Sequence, residues 1–236
     1  MMLEGLLNKR AGDFHPIVPF NQAADKLFSF DFSENNKELT TEQIADTESF
    51  ANYINSKLKT NNCKYGIGGY NEHRTLYARS KHFDAGEEPR RLHLGIDIWG
   101  EAGTKVMSPA DAIVHSFAFN NNDSDYGATI ILTHNIEGNS FHTLYGHLSL
   151  NSIKNLREGK RITKGEVFTE FGMRFENGNW PPHLHFQIIL NMENWKGDYP
   201  GVCKFSERDH WLKNSPDADF ILQMNKYLWR STARHL

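Results

Sequence analysis

The sequence contains little cysteine, no long apolar stretch and almost no excess of charge of either sign. Its two cysteines, Cys63 and Cys203, lack the C-x-x-C spacing of a zinc ribbon or redox motif. We expect two buried or partly buried thiols, and a disulfide only in an oxidising compartment. No apolar run approaches the roughly eighteen residues that a membrane-spanning helix needs. The formal net charge of -3 gives no electrostatic basis for binding nucleic acid or an anionic membrane surface.

The composition is that of an ordinary globular protein, with 39% hydrophobic and 23% charged residues in a chain of 236. This length favours one domain, or one domain with extensions. In the first ten residues the positive charges follow the leucines, which is not typical of a secretory signal. We therefore expect a cytoplasmic protein as the sequence is written, and a periplasmic or extracellular one if a signal was removed. The sequence predicts no oligomeric state.

Three regions are distinguished along the chain. Residues 1–60 are predicted to form an N-terminal extension with a strand and a helix. Residues 61–195 contain short β-type runs separated by turn residues, without helical patterns between them, which favours an antiparallel sheet or sandwich over βαβ units. Residues 196–236 are predicted to hold a loop and a helix. The predicted fold class is therefore mainly β, with short flanking helices at both termini.

Local patterns give these regions more detail. Residues 27–32 alternate like a short strand. Capping-box spacing followed by apolar residues at helical intervals predicts a helix over residues 41–59. The glycine-rich residues 65–70 follow no predicted strand, so we expect a turn packed beside a site. Ser215 and Pro216 suit the N-cap and first position of a final helix whose apolar face reaches residue 228.

Histidine is abundant, with twelve residues, and the informative ones fall into three short clusters. In a strand beginning at His183, alternate residues share one face, so His183 and His185 lie on the same side with Cα atoms about 6.6 Å apart. His93 and Asp97 would be about 13 Å apart on a straight strand. That is too far for one ion with bonds near roughly 2.0–2.2 Å. The chain must bend between them, and Gly95 tolerates such a bend.

The third cluster contains His147, which follows a predicted strand and Gly146 and can therefore project into a cleft. Two histidines and one carboxylate form a common three-ligand zinc set that leaves a position open for water. Such an ion lowers the pKa of water and polarises a carbonyl. Two further histidines would suit proton transfer and stabilisation of an oxyanion. Taken alone, each cluster is also explained by histidines and an aspartate at a strand edge or turn that have no catalytic or metal-binding role.

The region from about residue 65 to residue 189 resembles the lysostaphin-like zinc endopeptidases, also called LytM-type domains. The resemblance rests on motifs in a fixed order, namely HLGID at 93–97, GTKV at 103–106, SPAD at 108–111, YGHLS at 145–149 and HLHF at 183–186. It implies that His93, Asp97 and His185 ligate zinc and that His147 and His183 are the catalytic pair. It also implies a small antiparallel β-structure with a cleft, and peptide cross-links of bacterial cell wall as the usual substrates.

The leading hypothesis is therefore a zinc metalloendopeptidase acting on peptidoglycan-type or muropeptide substrates. One alternative is a hydrolase of a non-wall peptide or amide. Another is a non-catalytic LytM-type binding or regulatory module, although such modules generally lack ligands that this chain keeps. Residues 103–114 also resemble the duplicated-hybrid-motif proteins of sugar transport, in which His147 and His183 would relay phosphate, but Asp97 and His185 argue against this. We expect the extension or the final helix to cover the cleft partly.

Overall fold

The computed structural model describes residues 3–75, 77, 83 and 87–228. The strands are β1 (Leu27–Phe30), β2 (Tyr65–Gly68), β3 (Arg90–His93), β4 (Ile96–Trp99), β5 (Lys105–Met107), β6 (Ala112–Asn120), β7 (Gly127–Ile136), β8 (Asn139–Leu148), β9 (Arg161–Ile162), β10 (Val167–Glu170), β11 (His183–Ile189) and β12 (Val202–Lys204). The α-helices are α1 (Leu3–Lys9), α2 (Thr41–Ala45), α3 (Thr47–Thr60), α4 (Arg208–Asn214) and α5 (Asp219–Leu222).

Eight of these strands form one mixed sheet in the order β1-β2-β4-β11-β8-β7-β6-β9, while β10 pairs with β5 and β12 pairs with β3. Within the large sheet, β1 runs parallel to β2 and the other neighbours are antiparallel. The parallel pair requires a crossover connection, which α2 and α3 provide. The predicted mainly β class with short helices at both ends is confirmed, with one parallel pair at the edge that the prediction did not include.

The glycine-rich residues 65–70 were expected to form a turn, and this expectation is wrong because residues 65–68 form the buried strand β2. Its glycines allow close approach of neighbouring side chains. A Cβ atom at Gly66 would lie 2.0 Å from the ring of Phe30, and one at Gly68 would lie 2.7 Å from Nη2 of Arg74. Glycine in a strand often marks such close contacts, but it weakens the sequence pattern of the strand.

The helix expected over residues 41–59 is divided into α2 and α3 at Asp46. The predicted capping box of Thr40 and Gln43 is present at the start of α2. Asp46 has extended backbone angles, and its side chain accepts a hydrogen bond from the backbone N–H of Ser49 at 2.7 Å. Asp46 therefore ends one helix and caps the next, because aspartate at an N-cap satisfies an otherwise unpaired N–H group.

The final helix expected to begin at Ser215 is not formed as predicted. Ser215 instead follows α4, and the only α-helix described after it is the short α5. The carboxylate of Asp219 accepts hydrogen bonds from the backbone N–H groups of Met224 and Asn225, and Gln223 adopts a left-handed φ of 52°. These local bonds turn the chain out of the helix, since an aspartate side chain competes with helical hydrogen bonding.

The N-terminal segment packs against the sheet through buried aromatic rings. Phe50 on α3 is fully buried, and its ring contacts those of Phe32 and Trp99 at centroid distances of 5.9 and 5.5 Å. Trp99 in turn stacks on His183 at 3.9 Å. Helix α3 therefore packs, through Trp99, against the part of the sheet that carries His183. The division of the chain at residues 60 and 195 stays a prediction, and its outermost residues, 1–2 and 229–236, lie outside the described residues.

Replacing Phe50 with alanine is expected to lower the free energy of unfolding by about 3–5 kcal/mol, because a fully buried aromatic ring is lost and a cavity remains. Urea unfolding of the whole chain measures this quantity. Asn52→Ala on the exposed side of α3 is the matched control and should change stability little. If both variants had similar stability, α3 would not unfold together with the sheet.

Cys63 is half-buried, Cys203 is buried, and both are free thiols. Within the part of the chain that the structure describes, no helix combines the length and apolar character needed to cross a membrane.

Candidate active site

The chain bends between His93 and Asp97, as the sequence predicts. Strand β3 ends at His93 and pairs with β12, whereas β4 begins at Ile96 and pairs with β2 and β11. A Cβ atom at Gly95 would lie 2.7 Å from the ring of His185, so a larger residue has no room at the bend. As a result, His93 Nε2 and Asp97 Oδ1 lie 3.2 Å apart.

The pairing of β4 with β11 adds the third member of this group. His185 lies directly opposite Asp97 in the register, and His185 Nδ1 is 3.2 Å from Asp97 Oδ1 and 3.0 Å from His93 Nε2. All three side chains are buried. Ligand atoms of a tetrahedral zinc ion with bonds of about 2.0–2.2 Å lie about 3.3–3.6 Å apart, which is close to the observed spacing. The three residues form a group that could hold a metal ion.

The other ring nitrogens of the two histidines are held by acceptors. His93 Nδ1 lies 2.9 Å from the carbonyl oxygen of Gly69, and His185 Nε2 lies 2.9 Å from Oε1 of Gln187. The amide nitrogen of Gln187 donates to Pro200 O and Ser215 Oγ, which leaves Oε1 directed at His185. The outer nitrogen of each histidine is therefore placed to donate, which leaves the inner nitrogen directed at the centre. Three electron-pair donors so close together repel one another, and a shared cation removes that repulsion.

Burial and charge set the protonation states in this group. Burial lowers the pKa of His93 to about 4, and the positive charge of Arg74 acts in the same direction. Burial alone would raise the pKa of Asp97, but the charge of His93 in acid, where that ring is protonated, and the permanent charge of Arg74 hold the pKa well below its usual range. At neutral pH His93 is neutral and Asp97 is ionised, which are the forms that bind metals.

His147 and His183 lie beside this group with their rings 4.1 Å apart. Each Nδ1 is 2.8 Å from a backbone carbonyl, that of Asn177 for His147 and that of Pro181 for His183. Nδ1 therefore donates in both residues, and Nε2 keeps a free lone pair. Burial lowers the pKa of His147 well below its usual value and that of His183 to about 4, so both rings are neutral.

The backbone at His147 is unusual because its φ is 63°, in the left-handed region that residues other than glycine rarely adopt. The N–H of His147 donates to Tyr126 O at 2.8 Å, and its carbonyl accepts from the N–H of Gly172 at 2.9 Å. Such strained conformations persist where surrounding contacts over-determine them, and they cluster at active sites.

Four of the five predicted residues, all except His93, line one cavity of about 150 Å³. His93 lies behind it and is fully buried. The wall also includes the aromatic side chains of Tyr126, Trp180, Trp195 and Tyr199. The structure thus brings all five predicted residues together around one cavity.

Sequence reasoning missed three side chains at this site. Gln187 lies two residues after His185 on the same strand face, so strand alternation could have identified it. The guanidinium of Arg74 donates a hydrogen bond to Asp97 at 2.5 Å. Tyr126 places its hydroxyl 3.4 Å from His185 Nε2. No local pattern marks Arg74 or Tyr126, because only tertiary contacts bring them here.

Comparison with known proteins gives a match of residues 91–196 to the family model described as Peptidase family M23. The DD-carboxypeptidase/endopeptidase Mpg of Neisseria meningitidis serogroup B is 33% identical over 129 residues, which cover 52% of this chain and 27% of that protein. An uncharacterized metalloprotease of Haemophilus influenzae is 32% identical over 101 residues, covering 43% and 19%. The chain spans about a quarter or less of the length of these curated relatives.

Similar solved structures include the catalytic domain of lysostaphin from Staphylococcus simulans, which is 21% identical with a TM-score of 0.42 and covers 70% of this chain and 98% of that one. A zinc containing peptidase from Vibrio cholerae is 25% identical with a TM-score of 0.33, covering 42% and 27%. All five predicted site residues lie within the range matched by the family model. The resemblance predicted from the motifs is confirmed by the match of residues 91–196, a little under half of the chain, to the model of peptidase family M23.

Proposed function

We propose that this chain is a zinc-dependent metalloendopeptidase that hydrolyses a peptide bond in peptidoglycan-type or muropeptide substrates. The observation that carries the proposal is the convergence of His93 Nε2, Asp97 Oδ1 and His185 Nδ1 within 3.0–3.2 Å of one another, beside two further neutral histidines. The match of residues 91–196 to the model of a peptidase family supports the reaction class.

His93, Asp97 and His185 would hold the zinc ion. When bound, zinc in such a set lowers the pKa of water and polarises a carbonyl. His147 and His183 both keep Nε2 unprotonated because Nδ1 donates to a backbone carbonyl. One of them can therefore accept a proton from the attacking water, and the protonated ring can then donate it to the leaving amine.

The substrate part of the proposal draws on the relatives. The Neisseria protein is named as a DD-carboxypeptidase/endopeptidase, and we carry that activity class over to this chain as a proposal; the peptidoglycan-type substrate comes from the resemblance to LytM-type domains. Intact peptidoglycan would be reached in the periplasm or outside the cell, whereas soluble muropeptides would also be reached in the cytoplasm. The aromatic wall of the cavity offers apolar surface to either.

Purified protein incubated with cross-linked muropeptides is expected to cleave them, with products identified by mass spectrometry. A chelator should reduce cleavage to background, and added zinc should restore it, because the proposed reaction depends on the ion. Unrelated peptides and small amides, assayed in parallel, test the alternative substrates. A protein that takes up no zinc and cleaves nothing would be a binding module, and the proposal would be wrong.

A further inference from the structure

We propose that Arg74 is a positioning residue of the metal centre, which holds one carboxylate oxygen of Asp97 so that only the other oxygen is available as a metal ligand. The inference rests on the proposed metal-binding function. It concerns a residue outside the 91–196 range that matches the family model.

Arg74 is buried, with 1% of its side chain exposed, and its guanidinium is held from several sides. Nη1 donates to Asp97 Oδ2 at 2.5 Å, and Nε donates to Glu72 Oε2 at 2.7 Å. Nη1 also donates to the hydroxyl of Tyr77 at 3.2 Å, and Nη2 donates to the carbonyl of Gly69 at 3.3 Å. A planar guanidinium with this many partners has one orientation, which fixes the carboxylate that it contacts.

The two oxygens of Asp97 have different surroundings. Oδ2 contacts Arg74, whereas Oδ1 faces His93 Nε2 and His185 Nδ1, each at 3.2 Å. Without Arg74 the carboxylate could rotate or offer both oxygens to the ion. A second bond from Asp97 would occupy the coordination position that a catalytic zinc site keeps open.

The carbonyl oxygen of Gly69 links two of the proposed ligands. It accepts from His93 Nδ1 at 2.9 Å and from Arg74 Nη2 at 3.3 Å. The same short segment after β2 therefore orients His93 directly and Asp97 through Arg74. Hydrogen-bond partners of metal ligands commonly tune both affinity and geometry.

A general structural role is a weaker explanation of this burial. Removing an arginine and a carboxylate from water carries a large desolvation cost, and a buried ion pair often adds little net stability. Gly68 indicates that the backbone accommodates the Arg74 guanidinium at this position, because a Cβ atom at residue 68 would lie 2.7 Å from Arg74 Nη2. The backbone beside the guanidinium thus leaves just enough space for it.

The test is Arg74→Lys in the full chain, because lysine keeps the positive charge but lacks the planar fork. Two quantities are measured, the zinc Kd by competition with a chromophoric chelator and the visible absorption of the Co²⁺-substituted protein. We expect the zinc affinity to fall about 10–100-fold. We also expect the cobalt absorption to weaken from the intense four-coordinate form as Asp97 binds through both oxygens.

Arg161→Lys, on the exposed edge strand β9, is the matched control and should leave both quantities unchanged. If Arg74→Lys does not fold, Glu72→Gln removes the charge that anchors Nε while keeping Arg74 and Asp97, and a smaller loss of zinc affinity is expected. The cobalt absorption of the unmodified protein also tests the inference. If Asp97 binds through one oxygen only, this absorption must be that of four-coordinate cobalt.

The inference would be overturned, and the proposed function left standing, if a folded Arg74→Lys protein kept wild-type zinc affinity and cobalt absorption. The same result in Glu72→Gln would have this meaning if the lysine variant fails to fold. A weak, higher-coordinate cobalt absorption in the unmodified protein would also overturn it. Failure of the unmodified protein to bind zinc would overturn the proposed function together with the inference.

Discussion

Replacing His185 with alanine is expected to reduce bound zinc from about one ion per chain to nearly none and to reduce peptide hydrolysis to background. Among the residues that the structure describes, three proposed ligands converge at this centre, so the loss of one leaves a set too small to hold the ion at low concentrations. The variant also leaves the charge of Asp97 without one of its two neighbouring rings. Elemental analysis of the purified protein, beside a hydrolysis assay, measures both effects.

His210→Ala is the matched control for this experiment, because His210 is exposed on α4 and lies outside the cavity lining. It should keep wild-type zinc content and activity. His93→Ala is expected to behave as His185→Ala does. Retention of a full zinc ion and of activity in His185→Ala would refute the proposed ligand set.

Substitution of His147 or His183 is expected to lower kcat about 10²–10⁴-fold while bound zinc is retained, since general acid–base groups contribute rate enhancements of this size. At residue 147 the best replacement is asparagine, because φ is 63° there and asparagine tolerates the left-handed region better than alanine. At residue 183 alanine is suitable, because this strand position has no such constraint.

Steady-state kinetics and zinc content of both variants distinguish a role in catalysis from a role as a metal ligand. The thermal unfolding temperature of each variant should be checked, because His183 also stacks on Trp99 at 3.9 Å. Loss of zinc in His147→Asn would mean that His147 is a ligand. A kcat near the wild-type value in both variants would remove them from the catalytic pair.

Several features of the site could be predicted from the sequence because they depend on local backbone geometry. Side chains alternate along any strand, so His183 and His185 share a face whatever surrounds them. The straight-strand distance between His93 and Asp97 likewise required a bend, and Gly95 lies at that bend in the structure. The roles of these residues stay predictions until the two experiments above are done.

Other local signals were outweighed either by competing side-chain hydrogen bonds within a few residues or by pairing with distant strands. The helical pattern of residues 41–59 is interrupted by one capping bond at Asp46. The final helix is ended by the carboxylate of Asp219. Residues 65–68 form a strand although they are rich in glycine, since pairing with β1 and β4 supplies hydrogen bonds that no local preference predicts.

The sequence by itself determined the mainly β class, the motif order and the set of two histidines and one carboxylate that we propose as metal ligands. Tertiary structure alone decided which atoms of those residues meet. The register of β4 with β11 sets His185 opposite Asp97, and acceptors from Gly69 and Gln187 select the nitrogens that face the centre. The physical reason is the sequence separation over which each kind of interaction acts. Periodicity and turn chemistry act between neighbours in sequence, whereas a buried polar group takes its partner from whichever segment the folded chain brings beside it.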